Sequence, residues 1–440
     1  MIVTNPYTES VAEISEAVDL AGIYQQANSR AIQWSSRNVT ERVTALRAAY
    51  DECSGVSEKL ASLISEEMGK PITQSRVELG RALDEWRYML DNAPQFLEPE
   101  PLSGGAWLYF RPLGVVAVIS PWNFPFLLPL RGIVPALLAG NAVICKPSEL
   151  TPRVALEFSQ IISRYAPLEV AIGGKELGAQ VVDLPVSAIA FTGSSAVGKW
   201  IMGRAATSLK RVNLELGGLD PAIVLGDADL NKAAREIVRN NAANSGQACN
   251  AIKRVLVHES IYEPFVARVC EFAATLRYGD PHDPTTDVGP LASAAQRDRV
   301  QGYLDDAVAK GAVAHRVSLS TTRGYFFPQT ILTSVPSSAK LLREEAFGPI
   351  LPIVPFATIE EAITIANDTP YGLSASVWSE DIPKAESVAA KLVCGVVRIN
   401  AHGALAAGIP WSGCKESGIG QTKSREGLRE FTYIQVVVAS

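Results

Sequence analysis

From residue 113 onward, short apolar runs alternate with segments of helical spacing, and this alternation restricts the possible folds more than any other feature of the chain. The runs fall at 114–119, 142–146, 170–172, 188–191, 212–216 and 222–225, with helical patterns such as 151–164 between them. Strand–helix alternation of this kind predicts a parallel, doubly wound α/β sheet. A second block of the same texture covers 228–395. Ahead of residue 113 the texture is helical. Val11, Ile14, Val18 and Ile23 make one stripe within 8–34, and Leu46, Leu60, Leu63 and Ile64 extend others within 40–69. Asn38 or Thr40 is placed to cap the second stretch, Pro71 follows its end, and a third helix is expected over 73–92. Residues 97–112 read as a hairpin turning at Gly104-Gly105. A last strand, 433–438, has no later element to cover it, so it pairs with another subunit or forms an edge in its own chain.

Composition narrows the partners. With 440 residues, 47% hydrophobic and 20% charged, the chain is long enough for two to three domains and too apolar for global disorder. Forty Lys and Arg against 46 Asp and Glu give a net charge of −6 without a long basic run, which argues against nucleic acid as a partner. Six scattered cysteines with no C-x-x-C pair argue against a disulfide framework and a zinc site, and the four histidines form no local metal motif. The acidic start is no secretory signal. Residues 113–130 are uncharged, but Pro121, Pro125 and Pro129 would break a spanning helix, so a buried strand followed by an irregular loop is expected there. No membrane partner and a cytoplasmic location follow as expectations.

Several residues suggest chemistry. Cys249 lies in NSGQACN, where Gly246 allows a tight turn and small neighbours leave room for a substrate, although a lone cysteine is more often a small buried hydrophobe. Glu215, at an apolar strand end before Gly217-Gly218, is costly to bury unless it has a role or a partner. Burial would raise its pKa toward that of a general base, while a salt-bridged strand end is the plainer alternative. FTGSSAVGK places Gly193 and Ser194 between a strand and a helix, an arrangement that offers free N–H groups to phosphate. In PWNFP, Asn123 carries an amide able to stabilise an oxyanion, or simply to cap its own loop.

Taken together, PWNFP at 121–125, KPSE at 146–149, FTGSSAVG, LELGG, GQAC, EEAFGP at 344–349 and PWSGCKESGIG at 410–420 resemble the aldehyde dehydrogenase superfamily over essentially the whole chain. The resemblance implies an α/β protein with a Rossmann-like cofactor domain (1–96 and 114–216), an α/β catalytic domain (217–416) and a small β oligomerisation arm (97–113 and 427–440), with 417–426 returning to the cofactor domain. It implies Cys249 as the nucleophile, Glu215 as the general base, and Asn123 with the Cys249 N–H as the oxyanion hole. On the cofactor side it implies Lys146 and Glu149 at the adenosine ribose with Ser148 beside them, Gly193 and Ser194 at the pyrophosphate, Glu345 at the nicotinamide ribose, and Phe347 and Trp122 near the nicotinamide. Cys249, activated as a thiolate by its site, would attack an aldehyde, and Glu215 would activate water to release the acid from the resulting thioester.

The chain departs from the family pattern in several places. The segment before Val170 is several residues short, the usual leading hairpin is missing, Gln421 and Thr422 replace a common Arg-Glu pair, PWSG replaces PFGG, and Leu219-Asp220 replaces a commoner Lys-Ser or Lys-Asn. Glu149 favours NAD, with NADP tolerated. Arg131 stands on the expected substrate tunnel, where its guanidinium could fork onto a substrate carboxylate, and Trp411, His402 and Leu405 border the tunnel. An anionic aldehyde such as succinic semialdehyde is therefore the favoured small-molecule substrate, with aliphatic or aromatic aldehydes as the alternative. A homodimer or homotetramer is expected. Acylating relatives generally lack a base at the Glu215 position, and a non-catalytic descendant would have no need of the Cys249, Asn123 and Glu215 set.

Overall fold

The computed structural model describes residues 1–16, 19–319 and 323–439. Val18, counted in the first helical stripe, lies outside these residues. Val115–Ile119, Ala142–Lys146, Leu168–Val170, Ala188–Thr192 and Arg211–Glu215 form a parallel sheet. Their spatial order is third, second, first, fourth, fifth, and Gly418–Ile419 adds antiparallel beside the fifth. In this winding the connections reverse direction between the first and fourth strands, which opens a crevice at the strands' carboxyl ends. The third strand starts two residues before the expected run. Leu168 already pairs with Val143, and Gly173-Gly174 follow soon after. Arg30 braces the short segment ahead of it: Nη1 lies 2.7 Å from Glu169 Oε1, and Nη2 donates to the carbonyls of Ser163 and Ala166.

A second sheet holds Pro221–Val224, Arg254–His258, Thr330–Thr333, Ile350–Phe356, Ser374–Trp378 and Val396–Ile399, all parallel, with Val313–Arg316 antiparallel on one edge. A third sheet joins Glu100–Pro101, Ala106–Pro112 and Thr432–Val438 antiparallel. Its turn uses Gly104 and Gly105 at φ 69° and 75°, a conformation that disfavours any side chain. The terminal strand thus pairs within its own chain, and Ile434, Val436 and Val438 remain exposed on it.

The helical stretches divide more finely than their spacing predicts. Val11–Glu13 is a strand paired with Ile2–Thr4, so a leading hairpin is present where none was expected, and the helix is confined to Leu20–Ser35. Asn5 Oδ1 makes the hairpin turn by accepting from the N–H groups of Tyr7 and Thr8. The stretch 40–69 is two helices, Val39–Gly55 and Ser57–Met68, the first opened by a capping box between Asn38 and Glu41. The third helix is longer than expected, Ile72–Phe96. A helix, Leu127–Leu138, also begins inside the stretch expected to be a loop. Pro129 sits in its first turn, where a missing N–H breaks no intrahelical bond. Among the described residues no helix is long and apolar enough to cross a membrane.

Candidate active site

The loops that leave the first sheet's carboxyl ends carry most of the residues singled out in the sequence. The loop 120–126 is fixed from below by a buried ion pair between Lys70 and Glu78. Lys70 Nζ donates to the Asn123 carbonyl at 2.8 Å, and Glu78 Oε1 accepts from the N–H groups of Phe126 and Leu127 at 3.0 and 3.2 Å. The cost of burying these charges is offset by their mutual contact and by backbone partners, and the loop is held rigid as a result.

Cys249 approaches from the second sheet. Asn244, Ser245 and Gly246 adopt positive φ in succession, at 50°, 55° and 74°. A Cβ on Gly246 would lie 2.3 Å from the backbone carbon of Gly348, so glycine is needed for the 344–349 segment to pack against the cysteine loop. Gln247 ties the loop to Ala292 and Asn244, and its carbonyl accepts from Asn123 Nδ2 at 3.0 Å.

Cys249, Glu215, Arg131 and Trp411 line one cavity, with Leu128, Phe191, Thr422 and Phe431 around them. Asn123 is not among the residues that line this cavity; its Nδ2 donates to the carbonyl of Gln247, two residues before Cys249. One of its two amide N–H groups is engaged there, and its Oδ1 is buried without a hydrogen-bond partner.

Burial dominates the electrostatics. It pushes the Cys249 thiol up to about 11, against a smaller opposing pull from Lys253. Desolvation outweighs the pull of the one nearby ammonium, and so favours the thiol over the thiolate. Burial also lifts Glu215 to about 8, opposed by the charge of Arg131 and by hydrogen bonds from Thr422, at 3.3 Å, and Trp411.

Arg131 already has a partner within the protein. Its fork already grips a protein carboxylate: Nε and Nη2 donate to Glu85 at 2.8 and 2.9 Å. Only Nη1 is left without a hydrogen bond among the described residues. Lys423 Nζ also lies 3.3 Å from Glu85, and it donates to the carbonyls of Leu405 and Ala406. Arg81 stands close enough to feel Arg131, Glu85 and Cys249, and its buried Nε has no partner.

On the cofactor side, Lys146 ends its strand nearly buried, with Glu149 Oε2 at 3.3 Å as its polar contact and Glu149 itself exposed. Ser148 Oγ accepts from the Leu150 N–H. Gly193 bridges from strand to helix, and Ser194 caps the helix Ser195–Ala206, its Oγ accepting from the Val197 N–H at 3.4 Å. Trp122 and Phe347 meet edge to face, with ring centroids 5.6 Å apart. Glu345 differs from the expectation, because it is ion-paired at 3.0 Å with Lys253 and not open to a sugar. These residues fit a dinucleotide. Lys146 has donors to spare, the helix start offers N–H groups, and the perpendicular aromatic pair forms an apolar corner.

Lys70, Glu78, Arg81, Glu85, Lys253 and Lys423 were not singled out from the sequence. The signal for three of them was readable, since Glu78, Arg81 and Glu85 recur at helical spacing on one face of Ile72–Phe96. Lys253 and Lys423 sit in irregular segments, where spacing carries no such information.

Comparison with known proteins places the sequence and the fold. The model of the aldehyde dehydrogenase family matches residues 1–437. Lactaldehyde dehydrogenase of Escherichia coli is 35% identical, over 99% of this chain and 94% of its own, and its crystal structure superimposes with a TM-score of 0.95. Succinate-semialdehyde dehydrogenase [NADP(+)] of Deinococcus radiodurans is also 35% identical, with the same coverage of both chains. Betaine aldehyde dehydrogenase of Staphylococcus aureus, solved in complex with NAD+, is 30% identical over 99% of this chain and 90% of its own, with a TM-score of 0.94. On this sequence and fold evidence the chain belongs to the aldehyde dehydrogenase family.

Proposed function

We propose that this NAD(P)-dependent aldehyde dehydrogenase oxidises a small anionic aldehyde, such as succinic semialdehyde, to the carboxylic acid. The observation that carries the substrate class is a charge imbalance. Arg81, Arg131 and Lys423 gather around Glu85, and the other carboxylate that Arg81 feels, Glu78, is already paired with Lys70. Glu215, lifted to about 8, is mostly neutral at pH 7. Buried positive charge without a counter-ion is unfavourable, and a substrate carboxylate near Arg131 Nη1 and Arg81 would supply one. The name of the Deinococcus relative agrees with this reading.

In the proposed reaction, Cys249 sulfur bonds to the carbonyl carbon, and the oxyanion accepts from Asn123 Nδ2 and the Cys249 N–H. The bound nicotinamide cofactor supplies the two-electron oxidant. In the fraction of Glu215 that is ionised, the carboxylate then takes a proton from water; the hydroxide adds to the Cys249 thioester carbon, the C–S bond breaks, and the acid and the protonated thiol are released. Lys146, Ser148, Glu149, Gly193 and Ser194 would hold the adenosine and pyrophosphate half of the cofactor, and Trp122 and Phe347 the nicotinamide half, where Glu345 would join them on leaving its ion pair with Lys253. The exposed carboxylate of Glu149 favours NAD over NADP.

The same reading assigns 1–96, 114–216 and 417–426 to cofactor binding and 217–416 to catalysis. It assigns 97–113 and 427–440 to an arm that joins two or four copies. The exposed apolar side chains of the terminal strand support that role.

A general aliphatic or aromatic aldehyde is the second reading. It is favoured by the apolar walls of the cavity and by the grip of Glu85 on Arg131. Comparing kcat/KM for succinic semialdehyde and butanal separates the two. The proposal expects a preference for the anion of about tenfold or more, as for one charge-assisted hydrogen bond. Equal values would favour the second reading.

A further inference from the structure

Lys253 lies four residues after Cys249, and its ammonium points back beneath the cysteine loop. Nζ donates to the Ala248 carbonyl at 2.9 Å and to the Cys249 carbonyl at 2.5 Å, and lies 3.0 Å from Glu345 Oε1. The side chain is 8% exposed. Nζ also donates to the Ala251 carbonyl at 3.4 Å, and a buried ammonium with four oxygen partners is a fixed point in the structure.

The Ala248 carbonyl and the Cys249 N–H belong to the same peptide unit, which is planar and trans. Anchoring the oxygen on one side therefore aims the N–H to the opposite side. Among the described residues that N–H donates to nothing. Among the described residues the Ala251 N–H, at 3.1 Å, is the only other donor to the Ala248 carbonyl. A cation on the carbonyl also draws electrons through the amide and makes its N–H a stronger donor.

We infer that Lys253 is a positioning residue, which orients and polarises the Cys249 peptide as an oxyanion donor and at the same time neutralises Glu345 beside the nucleophile. This inference rests on the reading of Cys249 as nucleophile. It gives the buried ammonium a role that the cofactor contacts do not explain. It also accounts for Glu345 being turned toward the cysteine loop.

The test uses the full-length enzyme without cofactor and two reagents that attack the same sulfur differently. Acylation by p-nitrophenyl acetate passes through a tetrahedral oxyanion. Alkylation by iodoacetamide does not, and reports only the supply of thiolate. In Lys253→Met both rates should fall at a given pH, but acylation should fall about tenfold further than alkylation, part of the loss seen when an oxyanion donor is removed outright. Lys253→Arg, which keeps the charge and the donors, should restore the ratio to within about threefold of wild type. Equal losses in Lys253→Met, or none, would overturn the inference. If Lys253→Met gives no cooperative melting transition, Lys253→Gln is read in its place by the same ratio. Cys249→Ala serves as the control for the underlying reading. If it acylates as fast as wild type, the assignment of Cys249 as nucleophile fails, whereas a wild-type burst with an unchanged ratio in the Lys253 variants refutes only the role of Lys253.

Discussion

Exchanging Glu215 for glutamine keeps the shape of the side chain and removes its titration. Burial lifts this carboxyl from 4.5 to about 8. Between those values the folded protein holds a proton that the unfolded chain has released, so stability falls as pH rises through the window. The penalty is absent below pH 4.5 and complete above pH 8. At about 1.4 kcal/mol per pH unit it amounts to at most about 5 kcal/mol, and relaxation with water entry brings the expected effect to about 2–4 kcal/mol. Glutamine can still accept from Thr422, which lies at 3.3 Å. Glu215→Gln should therefore match wild type at pH 4.5 and exceed it by that amount at pH 9. Urea midpoints at matched protein concentration measure this, since association alters apparent stability. The same variant should form about one equivalent of reduced cofactor per site and then stall at the acyl-enzyme. A variant no more stable than wild type at pH 9, or a difference independent of pH, would refute the argument that Glu215 is held protonated by burial.

Three further outcomes follow from the site and the arm. Arg131→Met should raise KM for succinic semialdehyde about tenfold or more and KM for propanal by less than about threefold. It should also move the Glu215 limb of the pH–rate profile upward, because the Arg131 charge is the largest influence holding that carboxyl down; equal KM changes would contradict the anionic-substrate reading. Inactivation of the cofactor-free protein by iodoacetamide should keep climbing with pH toward about 11, where burial places the Cys249 thiol; a plateau reached by pH 9 would show a thiolate already activated. Replacing exposed Ile434 and Val436 by lysine should lower the oligomer mass in sedimentation, and an unchanged mass would exclude the terminal strand from the contact.

The parallel sheet was legible because its strands are short, apolar and separated by helices. Apolar spacing alone blurred the first seventy residues: it cannot distinguish the strand Val11–Glu13 from the helix that follows, and it ignores the break at Val56 between two helices. Glu215 and Asn123 stood out because a carboxylate or an amide in apolar surroundings is conspicuous, whereas Cys249 was ambiguous alone and was singled out by the set of motifs around it. Their supports did not. Lys253, Lys423 and Lys70 act through backbone carbonyls and distant carboxylates, and those partners become neighbours only after folding. Arg131 shows the limit most clearly. Its place on the cavity that Cys249 lines followed from the resemblance, but its partner Glu85 comes from a helix 46 residues away in sequence.

The central claim is that Cys249 carries an aldehyde oxidation in this chain. The measurement that tests it most directly is formation of reduced nicotinamide by the purified protein with NAD and succinic semialdehyde, repeated with NADP and with propanal and benzaldehyde, beside Cys249→Ala. The account predicts steady turnover in wild type and none in the variant. Turnover that survives in Cys249→Ala, or no turnover by wild type under any of these conditions, would contradict it.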